Sequence, residues 1–417
     1  MLRKVNAIAV AAVMAAGTGG ALRAQAATAV AVPCSATALA SAVASAVSGT
    51  TLSLAASCVY TLTAALPEVS QDLTITGNRA TLQRSYAAGT AAFTILTVAG
   101  SGILAVSELN FRHGDGAIAA IDEGQLTVNG GTFTGNAATD GGAIDSNVGR
   151  YAPQITDATF VRNLATGDGG AIYDNSSASS MGVRGSVFTG NMAADGGGAI
   201  WDYGEEGGIA ASTFWGNTAG AGGALWVDEN YPEIITNVVV SRNSASGDGG
   251  GIYGTVSLDN STVSGNYAGD QGGGLYDGFV DESFVSGSHI EGNSAADGAG
   301  IYNDIGVPFQ LTASTVSGNH ATADGGGIYN ANDAGETLAT STVSGNYAEG
   351  HGGGIYSLGG DSFLTASGTR IIRNRAQGGG GGIYDGPDTT VTLTSSPVTG
   401  NQPDNCEPPG SITGCTS

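Results

Sequence analysis

The chain has 417 residues, of which 71 are glycine and only 10 proline, and it lacks a Gly-X-Y period, so a collagen-like fold is excluded. Apolar residues make up 41% and charged residues 12%, which is enough apolar surface for a core and excludes a disordered chain. With 36 Asp+Glu against 13 Lys+Arg, the net charge is −23, and repulsion argues against nucleic acid and anionic lipid as partners.

Residues 1–26 are predicted to be a signal peptide. Arg3 and Lys4 form a positive start, Val5 to Ala16 an apolar run, and Ala24-Gln25-Ala26 a cleavage site. A membrane anchor fits less well, because the run is short and is interrupted by Gly17, Gly19 and Gly20. No later segment is apolar for long enough to span a bilayer, so the mature chain is expected to be secreted or associated with the cell surface, without a transmembrane segment, and monomeric.

Residues 27–67 are expected to form an N-terminal cap. Within it, Ser35 to Val47 reads as a helix with Ser35 as N-cap and Leu39, Val43 and Val47 on one face, plugging the first coil. Four cysteines in an exported chain point to disulfides. Three pairings are open, but nothing between residues 59 and 405 supplies a partner, so Cys34–Cys58 and Cys406–Cys415 is the economical choice. No cysteine cluster has the spacing of a zinc site.

Residues 68–401 carry a repeat. After two irregular segments, asparagines recur from Asn136 to Asn401 in ten intervals that span 265 residues, a mean of 26.5. Three residues before each lies an apolar side chain, from Phe133, Phe160, Phe188 and Phe214 through Val343 to Val398. After all but the last comes a glycine cluster that ends in Ile or Leu, as at Ile144, Leu225 and Ile355. Within a unit the apolar spacing is two, as in Val256 and Leu258, and β-branched residues abound, which is strand periodicity. The leucine-rich pattern and the nine-residue calcium-binding pattern are both absent. A parallel solenoid of about 26–27 residues per coil follows, with each repeated position stacked into a ladder. The residue before each Asn is assigned inward, the Asn to a left-handed turn with its amide paired along the ladder, and the glycines to tight corners. Residues 402–417 are assigned to a C-terminal cap.

The phrases FTGN…GGAI (Phe133 to Ile144), FVRN…GGAI (Phe160 to Ile172) and FTGN…GGAI (Phe188 to Ile200) resemble the repeat of chlamydial polymorphic outer-membrane proteins. The wider likeness is to secreted bacterial right-handed parallel β-helix proteins. The resemblance covers about residues 68–401 and implies an all-β right-handed parallel β-helix, of the pectin lyase-like kind, with a role in adhesion. Later units drift to VSGN and GGGIY, and the β-barrel of those membrane proteins has no counterpart, so their anchoring is not carried over.

Several residues are candidates for chemistry. β-Helix lyases and hydrolases need a calcium cluster with a basic residue, or paired carboxylates, and no Asp-Asp pair or comparable motif is present. Arg112, His113 and Asp115, and Asp202, Glu205 and Glu206, are the unusual clusters; an irregular first coil and a solvated loop are the plain alternatives. His320 and His351 are expected in exposed loop positions. Asp140, Asp168, Asp195, Asp248, Asp297 and Asp324 precede the glycine clusters and form a carboxylate ladder, either solvated turns or a calcium stripe. Calcium is the one cofactor considered. The residue after each inward Ile or Leu is Tyr173, Trp201, Trp226, Tyr253, Tyr276, Tyr302, Tyr329, Tyr356 and Tyr384. Alternation puts this file outside, where it either stiffens the rod by self-stacking or presents rings to a glycan, with Asp174, Asp202, Asp277, Asn303, Asn330 and Asp385 taking sugar hydroxyls. The sequence thus points to a non-catalytic extracellular or cell-surface binding protein, with polysaccharide or a surface component as partner. The alternative is a carbohydrate-active lyase or hydrolase on the same scaffold.

Overall fold

The computed structural model describes residues 29–147, 150–176, 179–204, 207–227, 232–278, 282–304, 308–331, 334–360 and 362–415. The expected signal peptide lies outside them. The chain winds into a right-handed parallel β-helix of about 13 turns with one short helix near the N-terminus. Among the described residues, three long parallel sheets hold 15, 14 and 13 strands, and strands of two residues add narrow sheets of seven and two. A typical coil places Gln154–Thr156 in the first sheet, Thr159–Val161 in the second and Ile172–Asn175 in the third. The next coil places Gly182–Arg184, Val187–Thr189 and Ile200–Asp202 directly beside them.

Register is set by identity. Phe133 pairs with Phe160, Phe160 with Phe188 and Phe188 with Phe214, and all are fully buried. From Phe111 to Phe214 their rings stack with centroids 4.7–5.0 Å apart. Such pairs stabilise by about 0.5–1.5 kcal/mol beyond the area they bury. Below Phe214 the column continues as Val240, Val263, Ile290, Val316, Val343 and Ile371, all buried.

The asparagines form a second column. From Asn136 to Asn374, each Nδ2 donates to Oδ1 of the next at 2.9–3.1 Å. The same Oδ1 also accepts the backbone N–H of the Asn one coil back, as Asn293 Oδ1 does from Asn266 at 2.9 Å. Nδ2 has a second acceptor: Asn266 donates to the carbonyl of Val240 at 3.0 Å. One expectation needs correction, since the left-handed residue is not the Asn. Positive φ falls one position earlier, on Gly135, Gly190 and Gly318 among others and on Arg162, Arg242 and Arg373. The Asn side chain and its own N–H must both aim along the ladder, so the chain has to turn before it arrives.

The glycine corner makes two separate demands. Gly325 has φ +66°, a conformation that L side chains rarely adopt. At Gly326 an added Cβ would lie 2.5 Å from the Tyr347 carbonyl oxygen and 2.6 Å from that of Gly353, so the next coil itself excludes a side chain.

The ends differ from the middle. Helix Ala36–Ala44 is capped by Ser35, whose Oγ accepts from the Ala38 N–H, and it buries Leu39 and Val43. Val47 is not on that face: the helix stops at Ala44, and Val47 is 73% exposed. Disulfides join Cys34 to Cys58 and Cys406 to Cys415. Strands Val30–Val32, Thr50–Leu54 and Val59–Leu62 already belong to the first two sheets, so the sheets begin inside the stretch assigned to the cap.

Replacing Asn266 by Ala would strip the Asn243 N–H and Nδ2–H of their shared acceptor and the Val240 carbonyl of its side-chain donor. Each buried unsatisfied donor costs about 1–3 kcal/mol, so unfolding in urea should show a loss of about 2 kcal/mol or more.

Candidate functional site

The nine-residue aromatic file is continuous in space. From Tyr173 to Tyr384, successive rings lie 4.6–6.0 Å apart and within 22° of parallel. It sits on the outer side of the third sheet, as alternation requires, but it is not an open row. Tyr276, Tyr302 and Tyr356 are buried and the others are half-buried. Each internal ring has its faces covered by its neighbours, so only edges and hydroxyls look outward. Burial pushes the phenols up, to about 12 for Tyr173 and Tyr356. The same cause, with the Asp304 carboxylate added, raises Tyr276, whose hydroxyl donates to Asp304 Oδ2 at 3.0 Å.

One ring stands apart from the file. Tyr203 stacks at 5.7 Å on Trp201 and 6.5 Å from Trp226, and is itself 46% exposed. It follows Asp202, outside the repeated phrase, so periodicity gave no signal for it. The two tryptophans beneath it are the widest rings of the file.

The residues proposed to take sugar hydroxyls lie on the other side of the sheet. Asp174, Asp202, Asp277, Asn303, Asn330 and Asp385 are all buried, because a residue two places after an inward Ile or Leu also points inward. They serve the corner that leaves the third sheet. Asp174 accepts from the Ser176 N–H at 3.3 Å and its hydroxyl at 3.1 Å, Asp202 Oδ1 from the Gly204 N–H at 2.9 Å, and Asp385 from the Thr389 hydroxyl. Asn303 donates to Asn330 at 3.0 Å.

Two glutamates that the sequence analysis did not single out are sealed in the core. Glu233 Oε2 accepts from the Gly207 N–H at 3.0 Å, and burial, then the nearby Asp202, holds its carboxyl well above the usual range. Glu336 pairs in register with Phe309 and Leu364, and among the described residues neither of its oxygens has a hydrogen-bond partner. Burial alone pushes it up to about 8, and burial takes Asp174 and Asp277 to about 7.

The carboxylate ladder has a structural task. Asp140, Asp168, Asp248, Asp297 and Asp324 each accept through Oδ1 a backbone N–H of the next coil, at 2.6–2.9 Å. Asp195 does so through its backbone carbonyl, from Ala221. Burial raises Asp168, Asp248 and Asp297 despite these bonds. Among the described residues, no three His, Cys, Asp or Glu side chains gather as a metal site would require.

The remaining candidates are dispersed. His113 has φ 60° and packs its ring 4.6 Å from Tyr86, while its carbonyl accepts from Arg84 Nε at 2.8 Å. Burial, then Arg112 and Arg84, lowers its imidazole. Its neighbour Arg112 is exposed, and Asp115 uses its N–H on the Phe93 carbonyl. Glu205 and Glu206 lie outside the described residues. His320 is exposed, as expected, and 3.6 Å from Glu349, but it lies in strand His320–Ala321 and not in a loop. His351 is only half-exposed, with its ring 4.7 Å from that of Tyr384.

Comparison with known proteins agrees with this architecture. The family model described as right handed beta helix region matches residues 199–371, and that of the Chlamydia polymorphic membrane protein repeat matches residues 157–175 and 185–202. The fold is that of a right-handed parallel β-helix, and the match to that repeat lies in two successive coils. No curated protein matches it. Among solved structures, tailspike protein 3 of bacteriophage CBA120 is similar at 15% identity and TM-score 0.39, covering 89% of this chain and 59% of that one. The chain thus spans less than two thirds of the tailspike's length. The A-module of a mannuronan C-5 epimerase from Azotobacter vinelandii is similar at 13% identity and TM-score 0.37, covering 87% of this chain and 95% of that one. At such identities the likeness is one of fold alone.

The buried acids give a signed pH dependence. A carboxyl raised on folding from 4.5 to about 8, as Glu336 is, contributes its full stability below the lower value and loses it as pH rises through the upper one. The melting temperature should therefore fall between about pH 5 and pH 8. Glu336→Leu should raise it at the alkaline end and flatten the slope, because an apolar side chain there packs between Phe309 and Leu364.

Proposed function

We propose that the protein is an exported, non-catalytic β-helix that binds polysaccharide outside the cell or at its surface. The observation that carries this reading is the group of Trp201, Tyr203 and Trp226, where an aromatic ring just past the end of its strand remains open to solvent over two indoles of the third sheet. Sugar C–H faces pack on aromatic rings, and a rigid ring loses little entropy on binding. The wide indoles support Tyr203 from beneath. Disulfides at both ends of the rod support an oxidising compartment. Among the described residues, no helix is long and apolar enough to cross a membrane.

Binding to a panel of neutral, acidic and amino polysaccharides, measured by pull-down and calorimetry, tests the reading. Tyr203→Ser should weaken the retained polysaccharide about tenfold, some 1.4 kcal/mol, with the melting temperature unchanged. Tyr329→Ser, inside the closed file, should lower stability and leave affinity as it was. A parent chain that retains none of the panel removes this function. Release of reducing ends or unsaturated uronates from the same panel would establish the enzymatic alternative instead.

A further inference from the structure

The C-terminal end of the rod is closed over the third sheet and open over the first. Strand Cys406–Glu407 pairs onto Ile383–Asp385, with the Cys406–Cys415 bridge and buried Ile412 behind it. Among the described residues nothing pairs with the far side of Thr390–Thr394, the last strand of the first sheet. Its inward residues Val391 and Leu393 pack against the core yet stay partly exposed, whereas Leu364 and Ala366 one coil earlier are fully buried. In a parallel sheet, successive residues turn their backbone polar groups to opposite sides. The Thr390 N–H reaches back to the Ser362 carbonyl, so those of Val391 and Leu393 face out of the last coil. The strand reads TVTLT: β-prone, uncharged and free of proline, an edge that proteins ordinarily blunt.

The opposite end carries a matching element. Val30–Val32 is the first strand of the same sheet, paired among the described residues with Thr50–Leu54 alone. Beside it, Thr37, Ser41, Ala44 and Ser45 give the capping helix a smooth exposed side of small residues. The N-terminal end carries no charge, and the C-terminal edge strand lies in an uncharged run between Asp388 and Asp404. Residues 29–67 and 389–403 contain no Asp, Glu, Lys or Arg, in a chain of net charge −23. Copies that meet side by side bring like charges together, whereas an uncharged head can meet the tail of another copy, with its Asp388, Asp404 and Glu407, without that repulsion.

We propose that the first sheet continues from one molecule into the next. Val30–Val32 of a second copy adds in parallel to Thr390–Thr394, and its capping helix covers Val391 and Leu393. Every strand of the sheet runs in the same direction, so head-to-tail addition preserves the pairing already used along the rod. The contact is heterologous and repeats along one axis, so it builds open filaments rather than a closed dimer. This replaces the monomer expected from the sequence.

Sedimentation velocity and electron microscopy on the purified protein, expressed from the full sequence in an exporting host, test the proposal. The parent should form rods longer than one molecule, growing with concentration. Val391→Lys blocks the tail with a charge at the open end of the core, and Ser41→Lys blocks the head. Each variant alone should sediment as a monomer with an unchanged cooperative melt, and an equal mixture should give a dimer and nothing larger. Should Val391→Lys fail to fold, Thr392→Lys, whose side chain points out from the same edge, takes its place. A parent that stays monomeric at every concentration, a tail variant that still assembles, or a mixture that stays monomeric would each overturn the proposal. So would a monomeric parent whose Thr390–Thr394 edge captures an extended segment of some other protein.

Discussion

In a parallel coil every side chain lies one strand spacing, roughly 4.8 Å, from its own counterparts above and below. A residue type is therefore admitted at a position only if it can be its own neighbour. Phenylalanine meets this by stacking rings, as from Phe111 to Phe214. Asparagine meets it because one amide carries both a donor and an acceptor, so each member of the column satisfies the next. An ionised carboxylate only accepts, and the aspartate ladder accordingly bonds to backbone N–H groups rather than to itself.

The same constraint decides what the surface can offer. Nine aromatic residues in a row look like an adhesive stripe, but at this spacing they cover one another's faces. Repetition makes that wall stiff rather than receptive. Chemistry is left to places where the pattern breaks. Tyr203 is an added ring that no counterpart covers fully, and Glu336 is an acid inserted into a column of apolar residues. Glu233 brings a second such acid beside Asp202 in the interior.

Self-complementarity also explains why the ends matter. A coil in the middle is closed by its neighbours, whereas a terminal coil has only half of its interactions. At the N-terminus a helix with Leu39 and Val43 covers the core, while at the other end the disulfide-held segment covers one sheet and, among the described residues, leaves the TVTLT strand with an open side.

Much of the fold was legible in the sequence, because a position repeated ten times declares its environment. The period, the inward Phe-to-Val column, the asparagine ladder, the capping helix and the local pairing of cysteines all follow from spacing and residue type. Spacing could not tell which residue takes the left-handed turn, since Gly, Arg and Asn are adjacent there and only the hydrogen bonds of Asn163 and its counterparts fix the choice. Nor could it show that Asp174 and Asp277 face inward as acceptors for their own corners, or that the tyrosine rings close on one another. Those outcomes depend on the lateral distance between coils and on which groups the corners bring within reach. The sequence by itself determined what stacks upon what. The tertiary structure decided how much of each stack remains open to solvent, because exposure depends on the ring-to-ring distance and on where the last coil is left without a neighbour.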